Sequence, residues 1–211
     1  PGVRELLLRV AYLCVGRWGL WERHLPGQTV LEQLDERAFR ALCVDLGTIP
    51  TGEERAVAAT AVLERLWETR AARRPVLVVI DEAHNVCPQN PGDAVTARAT
   101  EIAIRIAAEG RKYGIFLLIS TQRPQKVHEQ ILSQCDNLLC MRMNSLADAA
   151  GLAEALSFAP ASLLARTPTF RQGEALVAGA TVPHPLLVRF GARLTEEGGS
   201  DVPNDWAQPS R

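Results

Sequence analysis

Two fully apolar stretches limit what this chain can fold into. "VLVVIDEAHN", residues 76–85, opens on five apolar residues that run into a pair of acids, and "IFLLIS", residues 115–120, repeats the apolar half. Neither alternates apolar with polar residues, as a half-exposed strand would, and both are short and rich in β-branched residues. Such runs are expected of strands buried on both faces of a parallel sheet. Parallel strands need a long crossover, and residues 93–108 between them carry a helical pattern, with Gly110 and Gly114 at its end.

The same alternation extends in both directions. Residues 3–15 are apolar enough for a buried helix, and "GRWGLWERHLPG" after it is punctuated by Gly and Pro as a loop is. "FRALCVDL", 39–46, is predicted as a short strand ending in an acid. Over residues 53–70 the apolar positions Ala59, Val62, Leu63, Leu66 and Trp67 fall on one helical face. A short helix near "VHEQILSQ", a strand at "NLLCMRM", helix over 145–165 and closing strands at 173–179 and 185–190 complete the pattern. This is an α/β layered domain with right-handed crossovers. The divisions expected are a helical lead-in over 1–27, the α/β domain over 28–192, and an arm or disordered tail over 193–211.

Composition excludes several classes. Apolar residues make up 47% and charged residues 22% of 211, which is ordinary for a globular domain of a size that can bury a substantial core. The longest apolar run, 76–80, is far below the ~20 residues of a membrane-spanning helix. A net charge of -1 gives no bulk signal for nucleic acid, although a neutral total can contain a locally basic surface. Only Lys112 and Lys126 among 23 basic residues are lysines, which reflects base composition of the gene rather than a binding task. Five cysteines without a CxxC pair fit reduced thiols of a cytoplasmic protein better than a disulfide framework or a zinc site. The chain opens on Pro1, with no initiator methionine and no signal-peptide pattern, and is expected to be a piece of something longer.

In open α/β sheets ligands sit at the carboxyl ends of the strands. Asp81 and Glu82 follow the first apolar strand and Gln122 follows the second. A carboxylate there can hold Mg²⁺, a second can polarise an attacking water, and a glutamine on the neighbouring strand can orient that water or sense a γ-phosphate. Taken alone, the acid pair can equally cap the segment that follows. His84 completes "DEAH", a tetrapeptide shared with another helicase superfamily. That superfamily carries Ser-Ala-Thr on the next core strand where this chain has "STQRP", so His84 reads as a supporting or structural residue. Arg123 and Lys126 can support the site loop, touch DNA phosphates, or simply be solvated.

The longer set "VLVVIDEAHN" and "AAEGRKYGIFLLISTQRPQKVHEQILSQCDNLLCMRMN" resembles the C-terminal ATPase portion of the HerA-like hexameric DNA translocases, a helicase group related to FtsK and the conjugative coupling proteins. The similarity spans roughly residues 28–192, and "EGRKYG", "STQRP" and "ILSQCDN" carry most of it. The resemblance implies a RecA-like P-loop NTPase sheet and a motor that uses ATP and Mg²⁺ to move along double-stranded DNA. It implies a hexameric ring, sometimes beside a partner nuclease. By position, Asp81 resembles the Walker B magnesium residue, Glu82 the base that activates water, Gln122 the sensor glutamine, and Arg111 the arginine finger. Arg111 precedes Gln122 by eleven positions that include a strand rising ~3.3 Å per residue, so it is expected on the opposite edge of the sheet. From there it would serve a neighbouring subunit. Its plainer role would be a cation capping a helix C-terminus.

The resemblance fails at one place. A phosphate loop, GxxxxGK[ST], supplies backbone donors, a lysine and a magnesium-bound hydroxyl, yet no Gly-Lys dipeptide exists in the chain. The expectation is a fragment whose phosphate-loop strand lies elsewhere in the protein, so that these residues alone would fold poorly and would not hydrolyse ATP. A degenerate, non-hydrolysing subunit or interaction module is the alternative, and a DEAH-type helicase fragment a weaker one.

Overall fold

The computed structural model describes residues 2–21, 29–192 and 194–195. The first apolar run forms β1 (Val76–Ile80) and the second forms β2 (Ile115–Ile119). They pair in parallel with Val76 opposite Ile115 and Ile80 opposite Ile119. The crossover between them is α4 (Ala94–Glu109), which starts where the Asp93 side chain accepts hydrogen bonds from the amides of Val95 and Thr96, both at 2.9 Å. Ala99, Ile102, Ala103 and Ile106 recur at i, i+3, i+4 and i+7 and are buried. Gly110 ends the helix, and Gly114, at φ 80°, supplies the left-handed turn into β2.

α2 (Val30–Glu36) and α3 (Gly52–Glu68) precede this unit, and each begins with a reciprocal capping box, Thr29 with Glu32 and Thr51 with Glu54. Asp35 of α2 receives both Nε and Nη2 of Arg65 in α3, at 2.7 and 2.5 Å. That forked contact also holds the Asp35 carboxyl below its ordinary range, with the hydrogen bond to Arg65 the largest cause. α3 packs on α4, and Leu63, Ile80, Ile102, Ile106 and Ile115 meet in one core.

A second sheet is antiparallel, in the order β3 (Asn137–Cys140), β4 (Glu174–Gly179), β5 (Leu186–Arg189). α5 (Glu129–Leu132) leads into it, while α6 (Leu146–Ala155) and α7 (Ala161–Leu164) cover it. Cys140, Leu152, Leu164, Leu176 and Ala178 form its separate core. The two sheets share no hydrogen-bonded strand pair among the described residues. They are joined instead through the turn at Pro124–Lys126, where Gln125 Nε2 donates to the Ala147 carbonyl of α6 at 2.6 Å.

Four expectations are corrected. Residues 39–46 alternate in burial, Leu42, Val44 and Leu46 half-buried, but enter no ladder, because apolar alternation supplies the two faces of a strand and not the partner whose hydrogen bonds make it one. β1 and β2 are buried on one face rather than two. Leu77, Val79, Phe116 and Leu118 point away from α4 and are 58, 58, 49 and 46% exposed. α1 (Gly2–Tyr12) is a helix as its apolar content predicts, yet Val3, Leu6, Leu7 and Leu8 are exposed, since no other described element packs along it. The stretch expected as a loop after it contains 3₁₀ turns at Val15–Arg17 and Gly19–Trp21, and residues 22–28 lie outside the description. The tail from 196 onward, expected as an arm, also lies outside it.

Leu77 is opposite Phe116 and Val79 opposite Leu118, so the four side chains form one apolar patch. Such patches drive association unless covered. Residues 1–211 in isolation are expected to elute from a sizing column well above their 23.0 kDa mass, and Leu77→Ser with Phe116→Ser to shift them toward monomer. An unmodified chain that elutes as a monomer would refute this.

Cys87 lies in the first core at 0% exposure, its thiol donating to the Ala83 carbonyl at 3.2 Å, and burial pushes its pKa up to about 12 from 9.0. The folded state therefore keeps a proton that the unfolded state loses above pH 9. Stability from this thiol is complete below pH 9 and drains away as pH rises toward 12. Thermal melts of the full-length protein between pH 8 and 11 should fall less steeply in Cys87→Ala than in the parent.

Candidate functional site

Parallel pairing brings the carboxyl ends of β1 and β2 to the same side, and the ladder continues past both strands. Ser120 N donates to Ile80 O at 2.9 Å, and Ala83 N donates to Ser120 O at 3.0 Å. Farther out, Gln89 N reaches Lys126 O at 2.8 Å and His128 N reaches Cys87 O at 3.0 Å, flanking a bridge between Pro88 and Val127. The segments after the two strands are thus held together along most of their length.

Asp81 is exposed at the tip of β1, and its Oδ1 accepts the Glu82 amide at 3.0 Å. Glu82 adopts a left-handed backbone, φ 46° and ψ 47°, and leads into a 3₁₀ turn over Ala83–Asn85. A non-glycine residue held there costs on the order of 1–3 kcal/mol and persists only when its surroundings demand it. Here the backbone on both sides is tied down, Ala83 N to Ser120 O at 3.0 Å and Asn85 N to Glu82 O at 2.8 Å, and the Gln122 side chain donates through Nε2 to Glu82 Oε1 at 3.0 Å. The structure therefore brings Asp81, Glu82 and Gln122 into one cluster.

Glu82 Oε2 is a buried oxygen without a hydrogen bond, although it lies 3.2 Å from His84 Nδ1. The better-aligned partner of that nitrogen is Thr121 Oγ1 at 3.1 Å, which also accepts the Arg123 amide at 3.0 Å. His84 touching both the acid of one strand and the tip of the other was not legible in the sequence, and Thr121 carried no signal beyond its place before Gln122. The Arg123 and Lys126 side chains are exposed in the turn that follows.

No group of three or more metal-ligating side chains occurs among the described residues. A single exposed carboxylate at a strand tip suits Mg²⁺, which keeps several waters and takes only one or two carboxylates beside phosphate oxygens. Asp81 is the residue that would hold it.

Arg111 does not join the cluster. It is exposed in the 3₁₀ turn Gly110–Tyr113, before β2, whereas Gln122 follows β2, and the strand's five residues span roughly 16 Å. The turn is braced from α3. Tyr113 stacks edge-on against Trp67 with centroids 5.9 Å apart, and the Arg70 guanidinium lies 4.4 Å above Trp67 and 5.4 Å from Tyr113. No ion pair to Arg111 occurs among the described residues, and it lies two positions past the last residue of α4.

No family model matches the chain. It is 33% identical over 141 residues to a probable helicase of Methanocaldococcus jannaschii, covering 67% of this chain and 26% of that protein. It is 35% identical over 136 residues to the DNA double-strand break repair helicase HerA of Pyrococcus furiosus, covering 61% of this chain and 24% of that one. The chain thus spans about a quarter of the length of the curated relatives it matches. Among solved structures, the monomer form of the pCW3 conjugation coupling protein TcpA with ATPγS aligns at a TM-score of 0.51 and 18% identity, covering 64% of this chain and 44% of that chain, a likeness of fold. In sequence the chain is similar to HerA and to probable helicases, and its fold is mixed α/β with a parallel strand pair, like that of the coupling protein.

Gly110 is what lets the Arg111 turn close onto β2. A Cβ at this position would sit 2.6 Å from the Ile115 carbonyl oxygen and 3.3 Å from Ile106 Cγ2. Gly110→Ala is expected to destabilise the protein by about 1–3 kcal/mol, read as a lowered denaturation midpoint in the full-length protein. An unchanged midpoint would mean that the turn is not as tightly seated as its geometry requires.

Proposed function

We propose that these residues form part of the motor of an ATP-driven, HerA-like DNA translocase. The observation that carries this is the Gln122 to Glu82 hydrogen bond at 3.0 Å, which joins the tips of two parallel strands beside Asp81. Relatives named as helicases add the direction of the inference. Within this reading Asp81 would hold Mg²⁺, which would supply charge neutralisation for phosphoryl transfer. Glu82 accepts the proton of the attacking water, while Gln122 sets the rotamer of Glu82 and faces the γ-phosphate.

The phosphate loop is the missing component, and the resemblance to HerA-like motors implies that its strand lies between β2 and β3. Among the described residues both have an unpaired edge, as β1 and β5 do, which leaves room for it. A strand placed between β2 and β3 would merge the two sheets and deliver its following loop beside Asp81 and Gln122. We assign that strand to sequence outside residues 1–211 of a longer protein. A helix after it would lie over Leu77, Val79, Phe116 and Leu118, the sheet face now open to solvent.

Arg111, at the far end of β2, serves a neighbouring subunit in a ring, proposed as a hexamer. DNA contact is electrostatic and salt-dependent, made to double-stranded DNA in the ring's pore, and a partner nuclease is consistent with the repair role named for one relative. No helix among the described residues is long and apolar enough to cross a membrane.

In the full-length protein Glu82→Gln should abolish ATP turnover while nucleotide binding, followed by fluorescent-analogue titration, is retained. Unchanged hydrolysis would remove Glu82 from the mechanism. Arg111→Ala should bind ATP normally yet lose turnover by about 10³-fold or more, and adding it to unmodified subunits should depress their activity more than simple dilution does. A strictly proportional loss would place Arg111 outside any neighbour's site.

A further inference from the structure

Glu82 is fixed from one side by Gln122, but one hydrogen bond leaves a carboxylate free to rotate about it. The second oxygen is the informative one. Oε2 is turned into the protein, without a hydrogen bond, 3.2 Å from His84 Nδ1. The imidazole has little freedom to move away, because the His84 side chain is only 10% exposed and its ring nitrogen also lies 3.1 Å from Thr121 Oγ1. Thr121 is itself oriented by the Arg123 amide, which donates to Oγ1 at 3.0 Å. One nitrogen therefore sits between the acid following β1 and a hydroxyl following β2.

The chemistry of that nitrogen decides what it does. With a proton on Nδ1, the ring donates to Glu82 Oε2, and the carboxylate is gripped at both oxygens. Without it, Nδ1 accepts from the Thr121 hydroxyl, and Oε2 stays orphaned and buried, a costly state for a charged group. A small rotation of Glu82, of the kind nucleotide binding would bring, converts the 3.2 Å approach into a hydrogen bond.

We infer that His84 is a positioning residue for nucleotide hydrolysis, holding Glu82 Oε2 through Nδ1 so that Oε1, beside Gln122, faces the attacking water. In that state Thr121 Oγ1 is a second acceptor beside the same Nδ1 proton, so it limits how far the imidazole can turn and ties its orientation to the tip of β2. The inference rests on the reading of Glu82 as the water-activating base.

The test uses steady-state ATPase kinetics and melting temperatures of the full-length protein carrying His84→Ala, His84→Asn, His84→Gln and Glu82→Gln. Asparagine places its amide one bond from Cγ, where Nδ1 is, whereas glutamine places it farther out, nearer Nε2. His84→Ala should lower kcat about 10- to 100-fold with KM for ATP within about two-fold, the scale seen for groups that orient a reacting one. His84→Asn should recover most of kcat, and His84→Gln should not, although the two differ from each other by a single methylene. Asparagine and glutamine variants of equal kcat, with melting temperatures like the parent's, would overturn the inference, and so would a His84→Ala protein of unchanged kcat. If His84→Ala fails to fold, the asparagine and glutamine pair decides alone. If Glu82→Gln itself turns over at the parent rate, the active-site reading falls and this inference with it. An inert Glu82→Gln beside indifferent His84 variants overturns this inference alone.

Discussion

Everything that resembles an active site here depends on the parallel pairing of β1 with β2. An antiparallel pair would send Asp81 and Gln122 to opposite ends of the sheet, whereas the parallel register, Ile80 opposite Ile119, sets both exits side by side. The pairing in turn depends on α4, since only a crossover can return the chain in the same direction. Its buried stripe, Ala99, Ile102, Ala103 and Ile106, holds the strands at the spacing they need. Past the strands, hydrogen bonds from Ala83 to Ser120 and from His128 to Cys87 keep the outgoing segments in step.

How much of this was legible in the sequence differs by element. Where a segment's own periodicity and caps decide its state, as for α3 between Thr51 and Glu68 or α4 after Asp93, sequence and structure agree closely. The cluster of Asp81, Glu82 and Gln122 was also accessible, because strand ends are fixed by the apolar runs that precede them. What could not be read was whatever depends on a partner. Residues 39–46 have a strand's pattern but join no ladder, the outer faces of β1 and β2 have a core's composition but no cover, and α1 is apolar along its length with little to pack on. Apolar composition states a need for burial and is silent on what meets it. The His84 contact escaped for a different reason: it spans 37 positions and depends on a left-handed residue at Glu82 that nothing in "DEAH" announces.

The separation into two cores follows the same logic. The first core gathers around α3, α4 and the parallel pair, the second around α6, α7 and the antiparallel sheet, and polar contacts at the Pro124–Lys126 turn connect them. Polar contacts of this kind fix orientation more than they add stability. The turn after Gln122 therefore lies at the seam between the two cores.

β2 itself has a mechanical property. One end abuts the turn bearing Arg111, braced by Trp67, Tyr113 and Arg70, and the other end carries Thr121 and Gln122 against the acid of β1. Five extended residues, hydrogen-bonded along one side, cannot shorten or coil to absorb a displacement. The strand is thus a spacer of fixed length, which sets the Arg111 turn and the Gln122 tip some 16 Å apart at opposite ends of the pair.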